Sequence, residues 1–384
     1  MSPDRRPSAE RRPLPVRADL RGTHPYGAPQ VPAAVRLNTN ENPYPPSPAL
    51  VAEIGSRVAQ AATQINRYPD REALGLRADL ASYLTRTTGV PVTAEAVWAA
   101  NGSNEVLAQL FALFAGPGRL VLGFEPSYSM HRLLATGSGA RYVAAARAED
   151  FTLSVPAAVE AVRMYQPDVV VVCSPNNPTG TATPLAVLEV LGAELDRAGS
   201  GVLVVDEAYA EFSTTPSALG LLDGRDRMVV TRTMSKAFAF AGARLGYLAA
   251  DPALVEALHL VRLPYHLSAI TQAAAQAALA HAEELLITVE AVRMARDRMA
   301  EGLRVLGLTV APSDANFLLV GGFADAPATW AALLGHGVLV RDVGLPGWLR
   351  VTAGTEQETT ALLQAMDQVL SQPRTAQPRT RGAR

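Results

Sequence analysis

Short apolar runs alternate along the chain with longer stretches of helical periodicity. Six runs stand out: Val97–Ala100, Leu120–Gly123, Val169–Cys173, Val202–Val205, Met228–Thr231 and Leu245–Ala249. They are apolar at nearly every position, not at every second one, and they end near Gly, Asn, Pro, Asp or Ser. That pattern predicts strands buried on both faces, as in a mostly parallel sheet. Between them, Glu72–Leu84 carries Leu76, Leu80 and Leu84 four residues apart, which predicts an amphipathic helix. After about residue 265 the character changes. Two Ala-rich helical stretches, Ile270–His281 and Glu283–Leu306, precede strand-like Asn316–Val320 and Val338–Val340. The expected organisation is a disordered tail over 1–15, an N-terminal segment over 16–44 packing with a small domain, and a large α/β domain over 45–265. A smaller α+β domain over 266–372 and a second disordered tail over 373–384 complete it.

Composition narrows the function. Of 384 residues, 48% are hydrophobic and 18% charged, enough apolar material for a large core and too much for a disordered chain. No run of 18 apolar residues predicts a membrane span, and the first 15 residues lack the apolar stretch of a signal peptide. A formal charge of −2, from 34 basic and 36 acidic residues, gives no reason to expect nucleic acid or an acidic membrane as partner. The single cysteine, Cys173, cannot form an internal disulfide, which fits a reducing cytoplasm. It sits within an apolar run and reads as core. The six histidines, at 24, 131, 259, 266, 281 and 336, show no metal-binding spacing and read as structural or exposed.

One residue count is more informative. Arginine supplies 33 of the 34 basic residues, and the only lysine is Lys236. A guanidinium stays protonated, whereas a lysine amine can lose its proton and attack a carbonyl. Ligands of open α/β sheets collect beyond the carboxyl ends of the strands, so polar residues directly after each apolar run are the candidates. Asn101-Gly102-Ser103-Asn104 follows the first run and leads into a helical stretch, a turn suited to phosphate. Tyr128 follows the second run. The third leads to Ser174-Pro175-Asn176-Asn177-Pro178-Thr179-Gly180, a polar turn held between two prolines. The fourth ends at Asp206, with Tyr209 close behind; a carboxylate there needs a partner. The fifth leads to Thr233, Ser235 and Lys236, with Arg244 eight residues past the lysine. Gly137-Ser138-Gly139 has no strand before it and reads as a turn. No nucleotide-binding glycine loop with its lysine occurs, so nucleotide hydrolysis has no support.

These parts fit pyridoxal phosphate. That cofactor needs an amine for its aldehyde, here Lys236, and an acid opposite its ring nitrogen, here Asp206. Its phosphate suits the Gly102–Asn104 turn, Ser235 and Arg244, and its ring suits Tyr128. The motifs LNTNENPYPPSP (37–48), RYPD (67–70), NGSNEVL (101–107), PSYSMH (126–131), SPNNPTG (174–180), VDEAY (205–209), TMSKAFAFAGARLGY (233–247) and LRVTAGT (349–355) carry a resemblance. Over nearly all the chain except its tails, the sequence resembles the fold-type I pyridoxal-phosphate aminotransferases, and within them the branch acting on histidinol phosphate.

The resemblance implies a large domain with a mostly parallel seven-stranded sheet between helices, plus a smaller α+β domain. It implies that Lys236 condenses with the cofactor's aldehyde and Asp206 pairs with the pyridine nitrogen. Asn177 and Tyr209 would bond the ring's 3-oxygen, and Tyr128 would stack on the ring. Gly102, Ser103, Asn104, Thr233, Ser235 and Arg244 would surround the phosphate. Tyr68 would reach it from a partner subunit, which makes the enzyme a homodimer. Tyr26, Asn177, Arg341 and Arg350 would hold substrate. The implied reaction is a ping-pong exchange of an amino group between L-histidinol phosphate or imidazole acetol phosphate and 2-oxoglutarate or L-glutamate, in histidine biosynthesis. An aromatic amino-acid aminotransferase shares most of these motifs, and a decarboxylase of a phosphorylated amino acid would use the same lysine. A regulator on this scaffold would need a DNA-binding module, and no helix-turn-helix pattern precedes the large domain.

Overall fold

Successive residues of the apolar runs point into two different cores. Val170, Val172, Leu203, Val205 and Val230 pack in one, while Val169, Val171, Val202, Val204 and Val229 pack in the other. A sheet covered on both faces has no reason to alternate polar and apolar positions, so its strands are unbroken apolar runs. The computed structural model describes residues 14–21, 27 and 29–371. Residues 1–13 and 372–384 of the expected tails, and Tyr26, lie outside the described residues.

In chain order the first elements are β1 (Val35–Arg36), α1 (Pro48–Ala62), α2 (Leu74–Thr88), β2 (Val97–Ala100), α3 (Ser103–Phe114) and β3 (Leu120–Glu125). They continue with α4 (Ser129–Gly137), β4 (Arg141–Ala146), α5 (Val155–Tyr165), β5 (Val169–Cys173), α6 (Leu185–Ala198) and β6 (Val202–Asp206). Next come β7 (Met228–Thr233), β8 (Gly246–Ala250), α7 (Pro252–Leu258), α8 (Ala269–Ala280) and α9 (Ala282–Val305). The last are β9 (Thr309–Val310), β10 (Phe317–Gly321), α10 (Ala326–Gly335), β11 (Val338–Leu339), β12 (Arg341–Asp342), β13 (Trp348–Thr352) and α11 (Glu356–Ser371).

The central sheet has seven strands in the order β2-β8-β7-β6-β5-β3-β4. Only β8 runs antiparallel to its neighbours, β2 and β7. All six expected strands are present, and the seventh, β4, lies at the edge. Its residues are exposed or half-buried, and RYVAAA lacks the unbroken apolar signature of the buried strands. The helices at Glu72–Leu84, Ile270–His281 and Glu283–Leu306 appear as α2, α8 and α9 with shifts of a few residues. Gly137–Gly139 is the turn that ends α4, with Gly139 at φ +87°.

A four-stranded antiparallel sheet, β12-β13-β10-β9, and a two-stranded parallel pair, β1-β11, complete the fold. The pair ties the N-terminal segment to the C-terminal part: Val35 faces Val338 and Arg36 faces Leu339. The ladder continues through Leu37, whose N–H donates to the Leu339 carbonyl at 2.8 Å and whose carbonyl accepts from the Thr352 N–H at 2.9 Å. Residues 38–42 are thereby held over the carboxyl ends of β5, β6 and β7. Ser47 starts α1 by accepting from the Leu50 N–H, with Pro48 in the first turn where no amide is needed. Among the described residues, no helix is long and apolar enough to cross a membrane.

Candidate active site

One cavity opens at the carboxyl edge of the central sheet, and Lys236 lies in its wall. The parallel strands deliver Asn177 after β5, Asp206 at the end of β6, and Thr233, Ser235 and Lys236 at the end of β7. Because β8 runs the other way, its start lies on the same edge and brings Arg244. The cavity also meets Ser103, Asn104, Tyr128 and Tyr209, and from the C-terminal sheet Arg341 and Arg350. Residues far apart in the chain thus meet because strand direction puts every connecting loop on one side.

Lys236 is half-buried, and its Nζ donates to the Thr39 carbonyl at 3.0 Å. Loss of hydration lowers its pKa to about 8, helped by the charges of Arg350 and Arg244 and opposed by Glu41. A sizeable fraction of this amine is therefore neutral near physiological pH, as a nucleophile or base requires. Asp206 is 1% exposed. Its Oδ1 accepts from the Thr231 hydroxyl at 3.2 Å, and its Oδ2 lies 3.0 Å from His131 Nε2. Of the two readings open for His131, structural or exposed, the ring takes the first: it is fully buried against this carboxylate. The ring sits on α4, 75 residues from its partner, and no local spacing announces the pair.

A cup of donors forms where β2 and β8 adjoin. Gly102 precedes α3 at φ +86°, a conformation costly for any residue with a side chain. An added Cβ there would lie 2.7 Å from Arg244 Nη2. The guanidinium therefore lies directly over the turn, and Gly102 offers no side chain to cap the first amides of α3. Arg244 Nη1 donates to the Ser235 hydroxyl at 3.4 Å, and the Thr233 hydroxyl lies 3.1 Å from Ser235 Oγ. A helix N-terminus, two hydroxyls and a guanidinium converge, an arrangement suited to a dianionic phosphate.

Tyr128 donates to Asn104 Oδ1 at 3.2 Å and meets His131 edge-on at 5.5 Å. Asn176, beside Asn177, is structural: it accepts from the Ser127 hydroxyl and donates to the Pro126 carbonyl, both at 2.9 Å. Asn177 faces the cavity, where its Nδ2 donates to Tyr209 Oη at 3.3 Å. Burial pushes the Tyr209 hydroxyl's pKa up, so the phenol keeps its proton. Cys173 also touches the cavity, but burial, with the nearby Asp206 charge, pushes its thiol up and keeps it protonated and unreactive.

Arg350 is buried, not a surface ion-pair arginine. It donates to Asn177 Oδ1 at 2.7 Å and to the Asn38 carbonyl at 2.8 Å. Across the β12–β13 ladder it faces Arg341 directly. Both line the cavity, and two guanidinium groups there suit an anionic ligand. Tyr68 is the expected residue that the fold does not bring to the cavity. It is 79% exposed and stacks on Tyr265, with ring centroids 4.3 Å apart. Sequence reasoning also missed Asn38, Thr39 and Asn40, which line the cavity from the N-terminal segment; their signal is the LNTN stretch, which by itself reads only as part of a motif.

A lysine amine with a lowered pKa, a buried acid, a cup of donors and an aromatic wall around one cavity fit a phosphorylated heteroaromatic aldehyde. Fold and site together define an aminotransferase of class I and II, and the chain belongs to that family, whose model matches residues 32–366. Two relatives share the name histidinol-phosphate aminotransferase. The one from Frankia casuarinae is 60% identical over 93% of this chain and 91% of its own. The one from Mycolicibacterium smegmatis is 57% identical over 92% of each chain. A solved histidinol-phosphate aminotransferase from Sinorhizobium meliloti, in complex with pyridoxal-5'-phosphate, superposes with a TM-score of 0.77 at 26% identity, covering 88% of this chain and 91% of that one.

Proposed function

We propose that this chain is a histidinol-phosphate aminotransferase. It would use pyridoxal 5'-phosphate to move an amino group between L-histidinol phosphate and 2-oxoglutarate, yielding imidazole acetol phosphate and L-glutamate. The observation that carries this reading is the 60% identity over 93% of the chain to a relative of that name. When bound, the cofactor supplies an aldehyde for amines and a protonated ring that accepts an electron pair.

The chain's residues then divide the work. Lys236 would hold the aldehyde and, once released as a free amine, take the proton from the substrate's α-carbon. Asp206 would keep the ring nitrogen protonated, held in place by His131 and Thr231. Gly102, Ser103, Asn104, Thr233, Ser235 and Arg244 would receive the phosphate, with Tyr128 against the ring and Asn177 and Tyr209 at its 3-oxygen. Arg350 and Arg341 would grip the substrate's anionic groups; a phosphate ester and a dicarboxylate both suit a pair of guanidiniums, which explains how one site serves two substrates in turn. Tyr26 would act with them on the substrate. The same reading makes the enzyme a cytoplasmic homodimer in which Tyr68 completes the partner's phosphate site. It divides the chain into a large domain over about 45–265 and a small one over about 266–372.

The deciding experiment compares kcat/KM for histidinol phosphate and phenylalanine as amino donors, with 2-oxoglutarate as acceptor. The expected preference for the phosphate ester is roughly 100-fold or more, because a site that desolvates charged groups for one ligand leaves them unpaired with another. Equal or better turnover of phenylalanine would assign the chain to the aromatic branch, and release of carbon dioxide from a phosphorylated amino acid offered as substrate would make it a decarboxylase.

A further inference from the structure

Asn40 is 1% exposed, and its φ of +54° is a left-handed conformation that asparagine tolerates better than most residues. Its Nδ2 donates to Tyr209 Oη at 3.0 Å. Asn177 Nδ2 donates to the same oxygen at 3.3 Å. The direction of both bonds follows from groups behind the two amides. Arg350 has only donors to offer, and it holds Asn177 Oδ1 at 2.7 Å, so the amide nitrogen of Asn177 must face Tyr209.

The amide of Asn40 is fixed by a different route. Its backbone N–H, which can only donate, points at Thr352 Oγ1 at 3.0 Å. The Thr352 hydroxyl, having accepted that bond, spends its own proton on Asn40 Oδ1 at 3.0 Å. Turning the amide over would set a second donor against that hydroxyl and take away the acceptor of its proton. The backbone at Asn40 is held as well, since its carbonyl accepts from Asn316 Nδ2 at 3.1 Å.

Two N–H groups therefore fill the accepting capacity of the Tyr209 hydroxyl, and since no acceptor among the described residues takes its proton, that proton is left to the cavity. We propose that Asn40, locked by Thr352, is a positioning residue that fixes Tyr209 as a hydrogen-bond donor to the bound cofactor's 3-oxygen. The role runs from β13 through the N-terminal segment to the ring-binding wall, a path of three side chains. It rests on the cofactor assignment made above. Burial supports it by keeping the phenol protonated.

The test uses the full-length, cofactor-loaded protein and two variants. Asn40→Asp keeps the size and the left-handed backbone but presents an acceptor, so the Tyr209 proton turns away from the cavity. Thr352→Val touches neither Tyr209 nor the cavity-facing amide nitrogen, and releases the amide of Asn40 to turn over. Two quantities are read: cofactor affinity of the cofactor-free protein, and the pH midpoint of the visible absorbance change of the loaded protein. A donor to the 3-oxygen stabilises its anionic form, so losing it raises that midpoint. Asn40→Asp should raise it by about one pH unit and weaken cofactor binding roughly tenfold, the effect of one hydrogen bond to a charged oxygen. Thr352→Val should shift the midpoint the same way by less. Weaker binding with an unmoved midpoint in Asn40→Asp overturns the proposal, since a packing defect alone would do that. If Asn40→Asp does not fold, an unmoved midpoint in Thr352→Val overturns it alone. A natural protein that takes up no cofactor overturns the assignment beneath it, and this inference with it.

Discussion

Replacing Lys236 with methionine should make the cofactor-free protein more stable while abolishing turnover. The ammonium's pKa falls from 10.5 to about 8 in the folded protein. At neutral pH the folded state therefore holds a charge it disfavours, at a cost of about 3 kcal/mol by linkage. Methionine removes that cost but also the bond to the Thr39 carbonyl, worth about 1 kcal/mol. Lys236→Met should thus gain about 2 kcal/mol near pH 7. The sign also fixes the pH dependence. Between pH 8 and 10.5 the unfolded wild-type chain binds more protons than the folded one, so wild-type stability rises with pH there. The variant lacks this term, so its advantage should shrink across that window. Above 10.5 the wild type should be more stable, by the roughly 1 kcal/mol of the remaining hydrogen bond. Urea denaturation of both cofactor-free proteins at several pH values reads the gap directly. A gap that stays constant from pH 8 to 10.5, or a variant no more stable at neutrality, would show that the lysine amine is not held against its charge.

Three further outcomes follow from the geometry. Arg350→Lys replaces a fork that bonds Asn177 and Asn38 with a point charge, and should raise KM for both amino donor and acceptor roughly tenfold; steady-state kinetics with an unchanged KM would refute a substrate role. His131→Leu strips a partner from the buried Asp206 carboxylate and should cost about 2 kcal/mol of stability together with cofactor affinity; denaturation and cofactor titration should move together, and affinity that holds while stability falls would limit the histidine to packing. Mixing Lys236→Arg with Tyr68→Ala chains under conditions that exchange subunits should restore activity that neither has alone, because a mixed dimer carries one site with both natural residues. No recovery in demonstrably mixed dimers would place Tyr68 outside its partner's site.

Part of this site is legible in the sequence because it is written locally. A strand buried on both faces must be apolar throughout, so β5 and β6 announce themselves, and the polar residues directly after them fall on the ligand-binding edge. The edge strand β4 is silent because half its surface faces solvent or loops and its alanines fit a helix as well. The partner of His131 is silent in the sequence because it depends on what faces the ring across space: His131 lies on α4 and Asp206 at the end of β6.

Sequence alone determined the chemistry on offer: one lysine amine, the acid at the end of β6, a glycine turn before α3, and a succession of buried strands that puts them on one edge. These are properties of residue type and short-range order, set by backbone sterics and burial. Only the tertiary structure decided who bonds whom. It drew Lys236 against Thr39, His131 against Asp206, and Asn40 between Thr352 and Tyr209, and it left Tyr68 on the surface, outside the cavity of its own chain. Such pairings depend on the direction and register of strands distant in sequence, and hydrogen bonds of about 3 Å leave no periodic trace along the chain.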